Sequence, residues 1–63
     1  MSSTATLNRR EIARLQSQRA HLVQEAASAG ESAVADILGE RIAEIDRAIA
    51  WCQREIEAEW AAA

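Results

Sequence analysis

Proline, phenylalanine and tyrosine are absent from the sequence, glycine occurs twice and cysteine once. Each shortage removes a class of structure. Without these residues strand and tight-turn chemistry are nearly missing, and the composition is all-α. A single cysteine, Cys52, excludes a disulfide within the chain, and with His21 as the one histidine no structural zinc site can be built. No apolar run approaches the length of a membrane span. The N-terminus, with Ser2, Ser3, Thr4 and Thr6, lacks the basic and apolar regions of a signal peptide. The expected setting is therefore cytoplasmic, with no membrane as partner. No motif for a catalytic residue, cofactor or metal stands out, so the chain is read as non-enzymatic and cofactor-free.

Sixty-three residues make one small domain, and a chain this short buries too little apolar surface to be comfortably stable without a staple. The apolar fraction is 49%, yet 15 of the 31 residues behind it are alanines, which favour helix while contributing little buried area. With disulfides and zinc excluded, self-association or docking on another protein remains as the staple.

The helical signals divide the chain in two. Leu7-Asn8-Arg9-Arg10-Glu11-Ile12 has the form of a helix start: Asn8 as N-cap, Glu11 three positions on, and Leu7 with Ile12 as a hydrophobic staple. Ile12, Leu15, Leu22, Val23 and Ala26 then fall on one side at helical spacing until Gly30 closes the pattern. Ser32 can cap a second helix, whose core positions alternate at spacings of three and four: Ala35, Leu38, Ile42, Ile45, Ile49, Cys52 and Ile56. The expected fold is an antiparallel two-helix hairpin, about 9–28 and 33–60, paired into a four-helix bundle. Residues 1–8 are expected to be a flexible segment and cap, and residues 9–61 the hairpin domain. Gly39 interrupts the second helix without shifting the heptad phase, so a continuous helix is expected through it.

Charge supplies an independent argument for the antiparallel arrangement. Through residue 22 the chain carries a balance of +3, and from residue 23 onward −6. Arg9, Arg10 and Arg14 at the start of the first helix, and Glu55, Glu57 and Glu59 at the end of the second, each oppose their own helix dipole. A hairpin brings these two ends together, where Arg and Glu can pair across the gap. Arg19 falls between Leu15 and Leu22 in the middle of the first apolar stripe. It needs a carboxylate or an exit to solvent, or else sets the register of a dimer.

Two features point to a neighbour. The second helix is expected to outrun the first by about two turns, leaving Ile56 and Trp60 without a partner in their own hairpin. A second stripe, Val34, Ile37, Ala48 and Trp51, widens the apolar face beyond what one helix covers. With Ile45, Ile49, Ile56 and Trp60, the residues Val34, Ile37 and Trp51 form the expected self-association and partner surface, Trp being enriched where interfaces concentrate their energy.

The other chemistry-bearing residues have bland readings. His21 with Glu25 makes a two-ligand pair on a solvated face, Cys52 is a small seam hydrophobe, and Asp36, Glu40 and Glu44 form an outer acidic row. The expected function is a self-associating protein–protein interaction module: a small adaptor, assembly factor or inhibitor of a larger protein, of phage or plasmid type. The competing class is RNA binding through Arg9, Arg10 and Arg14. In size and two-helix plan the chain resembles the small RNA-binding hairpin dimers that regulate plasmid copy number. The net charge of −3 and the lack of interleaved aromatics oppose nucleic acid as a partner.

Overall fold

The structure, a computed structural model, describes residues 3–62, which form two helices, α1 (Thr4–Ala29) and α2 (Ala33–Ala62), packed along their lengths as a hairpin. The hairpin is a narrow rod with extents of 47 × 17 × 11 Å.

Each end of the turn has a local cause. Gly30 follows α1 at φ 65°, ψ −146°, a conformation open in practice to glycine alone, and so stops the helix. Ser32 starts α2: its Oγ accepts from the Ala35 amide at 3.3 Å and its carbonyl from the Asp36 amide at 3.2 Å. Asp36 adds a negative charge in the first turn, where the dipole favours it. α2 then runs without a break through Gly39, around which a Cβ would meet open space.

The start of α1 differs from the sequence expectation. Ser3, not Asn8, is the N-cap, and its Oγ accepts from the Thr6 amide at 3.1 Å. Asn8 and the Leu7–Ile12 staple therefore lie inside the helix. Of the segment expected to be flexible, residues 1–2 lie outside the described residues, while residues 3–8 form the cap and first turn. Packing explains the extension: Ala5 is only 8% exposed, so the added turn buries an apolar side chain as well as closing hydrogen bonds.

The core is one seam between two rows. On α1 the row is Ala5, Asn8, Ile12, Leu15, Arg19, Leu22, Ala26 and Ala29, and on α2 it is Ala35, Leu38, Ile42, Ile45, Ile49, Cys52, Ile56 and Glu59; all are buried or half-buried. Both rows alternate at three and four, the coiled-coil spacing, and they are symmetric about the turn. Leu15, Ile45 and Cys52, with Ala5 nearer the open end, are its most buried members. Val23, expected in the α1 stripe, is 42% exposed, because the alternation passes from Leu22 to Ala26 and leaves it one residue off the seam.

The longer α1 also shortens the overhang. α2 has 30 residues against 26, and Ile56 is half-buried against the added turn. Only Trp60 remains largely bare.

Candidate interaction surface

Because the seam consumes one stripe of each helix, the flanking stripes form the two broad faces of the rod. On α2 a second row at the same spacing, Val34, Ile37, Arg41, Glu44, Ala48, Trp51, Glu55 and Ala58, runs parallel to the seam. Shallow clefts place His21 and Glu25 of α1 beside Val34, and Gln18 and His21 beside Arg41, so these residues share that face. Leu7, two heptads before His21, belongs to it as well. Of the six large apolar side chains exposed among the described residues, four (Leu7, Val34, Ile37 and Trp51) lie on this face. Val34, Ile37 and Trp51 are each more than half exposed, whereas Ala48 between them is half-buried.

The opposite face is poorer. It carries Val23 and, at the open end of the hairpin, Trp60, which lines a cleft with Ala5, Arg9 and Glu59. Glu59 Oε2 is buried there without a hydrogen-bond partner. Ile45, Ile49 and Ile56, expected as part of the partner surface, lie in the seam and face α1.

The ion pairs depart from the expected cross-gap pattern. Among the described residues no ion pair joins Arg9, Arg10 or Arg14 to Glu55, Glu57 or Glu59. Arg14 is held on its own helix: its Nε donates to Glu11 Oε2 at 3.0 Å, and a second bond joins Nη2 to Oε1. That hydrogen bonding holds the Glu11 carboxyl below its ordinary value and the Arg14 guanidinium above its own. Arg9, Arg10 and Glu57 are exposed, and water solvates them at little cost.

Arg19 has the carboxylate that its seam position demands. Its Nε donates to Asp46 Oδ1 at 2.6 Å, with Nη2 at 3.5 Å from Oδ2, and both side chains remain about half exposed. The pair ties α1 to α2 near mid-length. Sequence reasoning did not name Asp46 or Glu11 as partners. The first is legible once the hairpin is folded about Ser32, since Asp46 then lies almost level with Arg19, and the second as a three-residue spacing.

His21 is mostly exposed, with Nε2 2.7 Å from Glu25 Oε1, and no cluster of three or more potential metal ligands occurs among the described residues. Cys52 is a free, buried thiol. Asp36, Glu40 and Glu44 are all exposed, Glu44 on the same face as Trp51. No described helix is long and apolar enough to cross a membrane.

Fold and surface together define an antiparallel two-helix hairpin, one face of which exposes Leu7, Val34, Ile37 and Trp51 among charged and polar side chains. Comparison of the chain with protein-family models, with curated proteins and with solved structures finds no match.

Proposed function

We propose that the chain is a non-enzymatic interaction module that associates with a second copy of itself into a four-helix bundle and acts through protein contact, as a small adaptor, assembly factor or inhibitor. The observation that carries this reading is the open apolar face of Leu7, Val34, Ile37 and Trp51. Surface area supports it. A compact monomer of 6.9 kDa is expected to expose about 4,000 Å², whereas the hairpin exposes 4733 Å². The difference, about 700 Å², is close to the roughly 800 Å² that each partner buries in a standard interface.

Trp51 is the side chain with most to gain, being large, rigid and 54% exposed. Light scattering behind a sizing column, run over a range of concentrations, tests the reading. A mass twice that of the chain is expected, falling toward the monomer in Trp51→Ala with dimer affinity reduced about tenfold or more. A parent chain that stays monomeric at every concentration overturns self-association.

The RNA-binding alternative loses support from the Arg14–Glu11 pair: among the described residues only Arg9 and Arg10 of the cluster form no ion pair.

A further inference from the structure

We propose that the second copy docks through the Val34–Ala58 row, with the two α2 helices antiparallel and Ala48 at the two-fold axis. This rests on the self-association proposed above and gives it a face and an orientation.

The sequence of the row carries the argument. Ala48 lies at the midpoint of α2, so an antiparallel partner centred there overlaps the whole helix. Arg41 lies seven residues before Ala48 and Glu55 seven after. Each Arg41 then stands level with Glu55 of the partner subunit, giving two symmetric ion pairs. Among the described residues neither Arg41 nor Glu55 forms an ion pair within its own hairpin.

The same two-fold axis brings Ile37 to within one residue of level with Ala58 of the partner subunit, large against small. It also brings Trp51 to within one residue of level with Glu44 of the partner subunit, which offers the indole N–H an acceptor. At the axis itself two alanines meet, which lets the backbones approach closely.

The parallel arrangement through the same row sets Arg41 on Arg41, Glu44 on Glu44 and Glu55 on Glu55, with every charge opposed by its own kind. Charge therefore selects the antiparallel partner, while the apolar members of the row and Leu7 supply the area.

Sedimentation equilibrium at low salt tests the orientation. Arg41→Glu and Glu55→Arg each turn both ion pairs into repulsions and are expected to weaken the dimer about tenfold. The chain carrying both changes restores the pairs and is expected to return within about threefold of the parent. A cross-link gives a second readout that does not depend on charge. In a Cys52→Ala background, Ile37→Cys mixed with Ala58→Cys is expected to oxidise to a mixed disulfide dimer. Ile37→Cys alone is not, since its two copies would lie about 33 Å apart along the helix axis.

Dimers whose affinity ignores the single reversals, or in which Ile37→Cys links to itself, overturn this orientation and leave self-association standing. A parent chain monomeric at every concentration overturns both, and directs the face toward a foreign partner.

Discussion

Replacing Arg19 with leucine tests whether the polar position inside the seam contributes stability or costs it. The side chains of Arg19 and Asp46 are 43% and 50% exposed, so solvent screens their attraction and the pair is worth about 0.5 kcal/mol. A leucine between Leu15 and Leu22, buried to the extent of the half-buried Leu22, gains about 1 kcal/mol of apolar burial beyond what the Arg19 methylenes already supply. Asp46 would lose its partner but sits half in water, so no charge is stranded. The net expectation is a gain of about 0.5 kcal/mol, which for a domain of this size raises Tm by roughly 2–4 °C. Circular dichroism melts of parent and Arg19→Leu at equal chain concentration make the measurement, because the Tm of an associating chain depends on concentration. Light scattering on the same samples follows the mass. A fall in Tm of more than about 5 °C, or a change of mass, would show that the Arg19–Asp46 pair fixes the register and would refute the area argument.

The two glycines should respond in opposite senses. Gly39→Ala removes a flexible residue from a helix interior where the new Cβ meets nothing, and is expected to stabilise by about 1 kcal/mol. Gly30→Ala forces an L side chain to φ 65° and should destabilise by at least about 1 kcal/mol in the same thermal melts. Ser3→Ala removes the oxygen that accepts from the Thr6 amide. It should cost the first turn about 1 kcal/mol, read as faster hydrogen exchange at Thr6 and Leu7 with little change in the centre of α1. For pH, Arg14 depresses the Glu11 carboxyl below its ordinary 4.5, so the unfolded chain takes up that proton first. The stabilisation is complete above 4.5 and is lost as pH falls through the lower, folded-state value. Glu11→Gln should therefore flatten part of the acid limb of a stability-against-pH curve, and an unchanged limb would count against it.

What was legible in the sequence follows from what the seam repeats. All seven expected seam residues of α2, from Ala35 to Ile56, are buried or half-buried because six of them are apolar residues larger than a methyl or, as with Cys52, behave so. The α1 row obeys the same spacing but is written in Ala5, Asn8, Arg19, Ala26 and Ala29 among only three large apolar residues. Hydrophobic periodicity finds the middle of such a row, Ile12 to Ala26, misses Ala5, Asn8 and Ala29 at its ends, and admits Val23 beside it. The helix start was misplaced for a related reason. Asn8 and Glu11 fit a capping box, but a cap is worth about 1 kcal/mol, and the alternative at Ser3 closes another turn and buries Ala5 as well.

Sequence and structure part company most over charge. The segregation of +3 and −6 was read as pairing across the open end, yet the pair that joins the helices lies near mid-length, between Arg19 and Asp46. Exposed side chains at a hairpin end have water as a competitor and long rotamer-rich stems to immobilise, so proximity in the fold does not hold them together. Arg19 differs because its seam position has already fixed its stem, leaving only the head to find an acceptor. The same reasoning separates the two tryptophans. Trp60, 70% exposed, lies in the last turn of α2, and because helix ends fray, covering it also means holding that turn in place. Trp51 stands on the continuous middle of the helix with its backbone already fixed, so covering it costs less entropy for a comparable area. Trp51, not Trp60, is therefore where truncation should cost an associating hairpin most.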